Sequence, residues 1–176
     1  LQATEGSLLG LAGEIERRKQ DAMTIGTLLA SYPGFAAAVS ANDTAAVLNL
    51  MTPLVKDAKF DSMTVTNASG IVVARVHEPA KSGDSVTNQA NVVSALKGTA
   101  AAFVEPGTIV KLSARAGIPI KNAAGVVVGV ASVGYNLDRM ELVDRVKKMF
   151  VGDFTVFLGD VRVSTTIEQD GKRVVG

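Results

Sequence analysis

The chain has no cysteine, no tryptophan and a single histidine, and only two tyrosines and six phenylalanines among 176 residues. Without cysteine there is neither a disulfide framework nor a thiolate metal site, and one imidazole cannot build a histidine cage, so no metal is expected. Sparse aromatics and a balance of 18 basic against 17 acidic residues leave neither stacking platforms nor a general basic field, which argues against nucleic acid as a partner. No apolar run approaches the roughly 20 residues of a membrane span. The start at Leu1 lacks the basic-then-apolar pattern of a signal peptide. Cysteine-free composition suits cytoplasm or periplasm alike. The first residues already look helical, and Asp170-Gly171-Lys172-Arg173-Val174-Val175-Gly176 look like a hairpin cut inside its return strand. The chain therefore reads as an excised soluble segment, with sequence expected on either side.

What the chain does have is 47% hydrophobic residues, enough to bury one full core with an appended helical stalk. The stalk is placed at residues 1–31 and the domain at 32–176. Leu8, Leu11, Ile15, Arg18, Ala22, Ile25 and Leu29 recur at spacings of three and four, the seam of a heptad repeat that only Arg18 interrupts. Two arrangements produce such a seam: an amphipathic helix packed on its own sheet, or a helix that also pairs with its copy in a parallel homodimer. Glu14, Glu16, Arg17, Arg18 and Lys19 read as a solvated face with i,i+3 and i,i+4 pairs.

Tyr32-Pro33-Gly34 ends this helix, and Asn42-Asp43-Thr44 caps a second whose stripe is Val47, Leu50, Met51 and Leu54. Strands are predicted at 62–67 and 71–77, joined by Asn67-Ala68-Ser69-Gly70, and at 100–105, 109–116 and 126–135. The last follows Asn122-Ala123-Ala124-Gly125, which looks like the same turn used twice. A long polar loop at 78–91 leads to a short helix near 92–97 that Gly98 stops. A helix at 138–150 and strands at 154–158 and 162–165 close the pattern. Helices gathered against one antiparallel sheet of about five strands make an α+β domain.

Cationic and polar side chains fall on alternate positions in two of these strands: Arg75 and His77, then Lys111, Ser113 and Arg115. Period two puts each set on one face and leaves Val72, Ala74, Val76, Leu112 and Ala114 on the other. The pattern is either the wet face of a half-exposed sheet or an anion site. In the second case Arg75 and Arg115 are guanidinium forks, Lys111 a point charge, and His77 and Ser113 shorter donors. A serine hydrolase would need His77 as its base, yet no serine sits in a Gly-x-Ser-x-Gly elbow. Phosphate-binding glycine motifs are also missing. Binding rather than enzymatic activity is expected, with no cofactor.

A series of segments carries a family resemblance: Val65-Thr66-Asn67-Ala68-Ser69-Gly70, Ala74-Arg75-Val76-His77-Glu78-Pro79, Gly83-Asp84-Ser85, Ala95-Leu96-Lys97-Gly98, Glu105-Pro106-Gly107, Arg115-Ala116-Gly117-Ile118-Pro119-Ile120 and Gly129-Val130-Ala131-Ser132-Val133-Gly134-Tyr135. In this order, from about residue 60 onward, they resemble a single Cache sensor domain of bacterial methyl-accepting chemotaxis proteins. That family is similar in fold to the PAS-like extracytoplasmic sensors of citrate and dicarboxylate kinases. The resemblance implies a long N-terminal helix, a central antiparallel sheet with a ligand pocket on it, and a periplasmic sensor between two flanking transmembrane helices. It implies a carboxylate held by Arg75, His77 and Arg115, with Ser132 touching the ligand from the following strand. Two departures stand out: Glu78 separates His77 from Pro79, and Gly117 stands where the citrate sensors carry a second cation. The resemblance then points to a small monocarboxylate such as acetate, propionate or pyruvate. The alternative is a histidine kinase or diguanylate cyclase sensor for a dicarboxylate.

Overall fold

A computed structural model of the chain describes residues 2–107 and 110–176, with side chains from Leu9 onward. The Leu8 side chain of the heptad series, and Thr108 and Ile109 of the expected turn and strand, lie outside the described residues. In chain order the elements are α1 (Gln2–Ala30), α2 (Phe35–Ser40), α3 (Thr44–Val55), β1 (Ser62–Asn67), β2 (Val72–Arg75), α4 (Ala90–Leu96), β3 (Ala101–Pro106), β4 (Leu112–Lys121) and β5 (Val127–Asn136). They continue with α5 (Met140–Met149), β6 (Thr155–Leu158), β7 (Val161–Thr165), β8 (Glu168–Gln169) and β9 (Lys172–Arg173). The main sheet has five strands in the order β2-β1-β5-β4-β3. A long N-terminal helix on an antiparallel five-stranded sheet is the expected α+β, PAS-like arrangement.

Two compact units share the chain. A central unit takes Lys19–Phe103 and Arg115–Tyr135, and a terminal unit takes Leu1–Arg18, Val104–Ala114 and Asn136–Gly176. In the central unit, alternation sends Met63, Val65, Ala116, Ile118, Ala131 and Val133 to one face of the sheet, where they meet Ala22 and Leu29 of α1, Phe35 and Val39 of α2, and Val47 and Met51 of α3. The opposite face presents Val72 and Val130 to Val86 and to Val92 and Ala95 of α4. The capping signal before α3 is used as read, because the Asp43 carboxylate accepts the Ala46 N–H at 2.9 Å. The six-residue α2 has no counterpart in the sequence reading; it is a single short stretch buried through Phe35 and Val39.

The repeated Asn-Ala-x-Gly segment does form one turn twice. Asn67 Oδ1 accepts from Ser69 and Ile71 N–H, and Asn122 Oδ1 accepts from Ala124 and Val126 N–H. Each turn closes on a glycine at positive φ, +72° at Gly70 and +79° at Gly125. These turns fix the register of β2 and of β5, and with it which residues share a face.

The seam of α1 is used within the chain: Leu11 and Ile15 pack on the terminal unit's core, and Ala22, Ile25 and Leu29 on the central unit's. A helix pairing with its copy would have to use other α1 positions, such as the exposed Leu9 and Leu28. The solvated-face reading holds at Glu16 and Arg17, which are exposed, and is corrected at Glu14. Glu14 is buried and held by Arg17 at 2.7 Å, Arg18 at 3.4 Å and Arg145 of α5 at 3.7 Å. The expected i,i+3 and i,i+4 pairs both exist, but α5 supplies a third guanidinium that no local spacing announces. Burial pushes the Glu14 carboxyl up, and the Arg17 hydrogen bond with the three positive charges outweighs it, so the net shift is downward from 4.5.

Two expectations follow from this packing. Gly129 pairs with Asn67, and a β-carbon there would run into the Thr66 carbonyl and the Val39 side chain. Gly129→Ala should therefore cost about 1–3 kcal/mol of unfolding free energy, as overpacking does; chemical denaturation checks it. Because the folded pKa of Glu14 is depressed, its contribution to stability is complete above 4.5 and is lost as pH falls through the folded value. Glu14→Gln should lower the melting temperature at neutral pH and flatten its decline below pH 4.5.

Candidate functional site

The α4 face of the central unit's sheet carries a polar row. Thr64 of β1 stands opposite Arg75 of β2 and opposite Ser132 of β5, so the three side chains point the same way across adjacent strands. On β4, next to β5, Arg115 shares parity with Gly117 and is opposed to the core residues Ala116 and Ile118. Gly117 lies directly under the N-terminus of α4: a β-carbon there would overlap the Asn91 carbonyl. This explains the missing second cation before Pro119, since no side chain fits between β4 and α4 at this point. Asn91 is fully buried, and its Nδ2 donates to Ser132 Oγ at 2.8 Å. Its Oδ1 is buried without a hydrogen-bond partner.

Arg75 is held from several sides. Its guanidinium donates from Nη1 and Nη2 to the two carboxylate oxygens of Asp84, both at 2.8 Å, and from Nη1 to the Lys81 carbonyl at 3.2 Å. The Arg75 side chain is 11% exposed and Asp84 56%. The hydrogen bond to Asp84 raises the Arg75 pKa against the opposing effect of burial, and the same bond lowers that of Asp84. The polar loop predicted at 78–91 does not hang free. Val72 N–H donates to the Asp84 carbonyl at 2.9 Å, Gly83 N–H to the Val72 carbonyl at 2.8 Å and Val86 N–H to the Gly70 carbonyl at 3.1 Å. Ile71 and Ser85 form an antiparallel bridge. The loop thus runs along β2 and brings Asp84 to the Arg75 fork.

His77 departs from the predicted alternation. β2 ends at Arg75 rather than at residue 77, so His77 lies outside the strand, and strand parity does not set its direction. Met63 N–H donates to its Nδ1 at 3.1 Å, and the Met63 carbonyl oxygen lies at the same distance from that nitrogen. Burial pushes the His77 pKa below 6.5, ahead of the backbone hydrogen bond and Glu78, which act upward. The tautomer that accepts at Nδ1 from Met63 N–H keeps Nε2–H as a donor, and the one that donates from Nδ1 to the Met63 carbonyl leaves Nε2 as an acceptor.

Arg75, His77, Arg115 and Ser132 all belong to the central unit. Lys111 and Ser113 belong to the terminal unit. Lys111 is exposed and precedes β4, its N–H donating to Asp138 Oδ2 at 2.9 Å, and Ser113 is buried. Asp84, Asn91 and Thr64 were not selected from sequence. Gly83-Asp84-Ser85 was visible as a motif, but nothing local distinguishes an acid that closes on a distant guanidinium from an ordinary loop acid.

A five-stranded antiparallel sheet, with helices covering one face and a polar row under a short helix on the other, defines a Cache-type sensor domain. The chain belongs to the family described as the double sensory domain of two-component sensor kinase, whose model matches residues 4–171. Its family is described as sensory, and its fold is shared with the sensor domains of a histidine kinase and of a chemoreceptor. The sensor domain of Escherichia coli DcuS is 16% identical with a TM-score of 0.60, covering 80% of this chain and 96% of its own. That of the Vibrio cholerae histidine kinase DctB is 11% identical with a TM-score of 0.72, covering 93% and 66%. The sensory domain of the Campylobacter jejuni chemoreceptor Tlp3, solved with isoleucine bound, is 14% identical with a TM-score of 0.65, covering 94% and 70%. At such identities the likeness shows the fold. No curated protein sequence matches the chain.

His77 is the only histidine, so one imidazole signal reports on this corner of the site. Its titration by NMR should give a pKa below 6.5, and stability should rise with pH between the folded value and 6.5, where the unfolded chain binds the proton more readily. A titration midpoint at or above 6.5 would refute the buried, backbone-bonded ring.

Proposed function

We propose that the central unit is the ligand-receiving module of an extracytoplasmic, membrane-anchored sensor and that it binds a small monocarboxylate of the size of acetate, propionate or pyruvate. The observation that carries this reading is the polar row on the α4 face, with Thr64 opposite both Arg75 and Ser132 and Arg115 on the strand next to β5. Arg115 supplies the fork for the ligand carboxylate, Ser132 a hydroxyl and His77 a neutral donor, while Arg75 is engaged by Asp84. Charge-assisted hydrogen bonds contribute roughly 1.5–3 kcal/mol each. Small ligands gain at most about 1.5 kcal/mol per heavy atom. A ligand of this size then reaches micromolar affinity, which suits a signal that must be released as its concentration falls.

Among the described residues no helix is long and apolar enough to cross a membrane. The proposed anchoring rests on the family resemblance, with membrane helices flanking the segment. The family's description supports a sensor kinase as the output, and the fold shared with a chemoreceptor sensory domain supports a chemotaxis receptor. Ligand binding acts on either output only through a difference in affinity between two states of the domain. The loop along β2 and α4 is the segment placed to differ.

A melting-temperature panel of mono-, di- and tricarboxylates tests the reading: a monocarboxylate should raise the melting temperature, and Arg115→Ala should abolish most of that shift with the fold intact. Unchanged titration calorimetry in Arg115→Ala would place the site elsewhere. Hydrogen exchange of residues 78–98 should slow on ligand binding, and an exchange pattern indifferent to ligand would remove the loop from the mechanism.

A further inference from the structure

Asp84 does more than hold its loop: we propose that it determines specificity, by occupying the Arg75 fork as a built-in carboxylate so that the site accepts ligands with one carboxylate and rejects those with two. The inference rests on the monocarboxylate reading above and deepens it. The supporting geometry is the paired 2.8 Å contact of both Asp84 oxygens with Nη1 and Nη2 of Arg75. This is the bidentate arrangement by which a guanidinium recognises a ligand carboxylate. The arginine so occupied is nearly buried and projects from the row it shares with Thr64 and Ser132, on the sheet face that also carries Arg115.

A ligand with carboxylates at both ends would place one on Arg115 and need a second cation for the other. Arg75 stands on the same sheet face three strand spacings away, about 14 Å between strand axes, within the combined reach of two arginine side chains and a small diacid. With Asp84 in place, a second ligand carboxylate meets a neutralised fork and a like charge. Gly117, closed off by the Asn91 carbonyl, provides no alternative cation on β4. Remove the Asp84 charge, and a guanidinium only 11% exposed is left without its carboxylate, a situation that favours capture of another anion.

The test is titration calorimetry of the 176-residue chain and its variants with acetate, propionate and pyruvate against malonate and succinate. Asp84→Asn keeps the side-chain shape but turns one acceptor into a donor facing Arg75. It should shift the affinity ratio toward the dicarboxylates by roughly tenfold or more, the equivalent of one charge-assisted hydrogen bond. Asp84→Glu should keep the wild-type preference, and Arg75→Gln combined with Asp84→Asn should lose the dicarboxylate gain. An unchanged ratio in a folded Asp84→Asn, or a gain that survives in the double variant, overturns the proposal while leaving the monocarboxylate reading intact. Wild-type chain that binds neither class overturns that reading, and this inference with it. If Asp84→Asn unfolds, Asp84→Ser, which frees the fork without a donor, decides by the same ratio.

Discussion

A guanidinium taken out of water must be given oxygen acceptors, and the path of the chain after β2 follows from that demand. Arg75 ends the strand with its side chain nearly buried. Its acceptors are the Lys81 carbonyl and the Asp84 carboxylate, both from the loop that follows. Bringing them there lays residues 83–86 along β2, where the Val72 N–H and carbonyl find partners in the Asp84 carbonyl and Gly83 N–H. An edge strand that would otherwise expose unpaired backbone groups is thereby covered. Val86, carried in by the same path, joins Val72, Val92, Ala95 and Val130 in the small core beneath α4. One charged side chain thus settles the loop and the edge, and with them the entry into the helix that covers the site.

The second constraint is steric. Asn91 at the start of α4 rests its carbonyl on the β4 backbone, and only glycine at 117 leaves room for it. The contact also aims the Asn91 amide at Ser132. At the same place the charge pattern of the site departs from that of the citrate sensors this chain resembles. A single missing β-carbon therefore has a packing consequence and an electrostatic one, and the two cannot be varied separately. The terminal unit shows the same logic with charges reversed, since Glu14 is buried and needs guanidinium donors, which come from its own helix and from α5.

Much of this fold was legible because its signals are local. Heptad spacing marked α1, Asp43 marked the start of α3, and two Asn-Ala-x-Gly turns set the hairpin registers. The glycine stop after α4 was legible for the same reason. Alternation correctly placed Arg75 away from Ala74 and Arg115 away from Ala116, but it failed at Val72, which a shift of the β1–β2 register turns to the α4 face beside Arg75. It failed at His77, two residues past the point where β2 ends, because parity holds only while the backbone stays extended and paired. It also had no means of seeing that Lys111 and Ser113 belong to one compact unit and Arg115 to the other.

The sequence by itself determined the α+β class, the two Asn-Ala-x-Gly turns, the faces of the regularly paired stretches of strand and the family, because each depends on the spacing of neighbours along the chain. Only the tertiary structure decided which distant groups meet: Asp84 on Arg75, Arg145 on Glu14, and the Asn91 carbonyl on Gly117. Those pairings join residues from separate elements or loops. They are chosen by what burial leaves unsatisfied once the sheet and helices have packed, a quantity that no local pattern of residues contains.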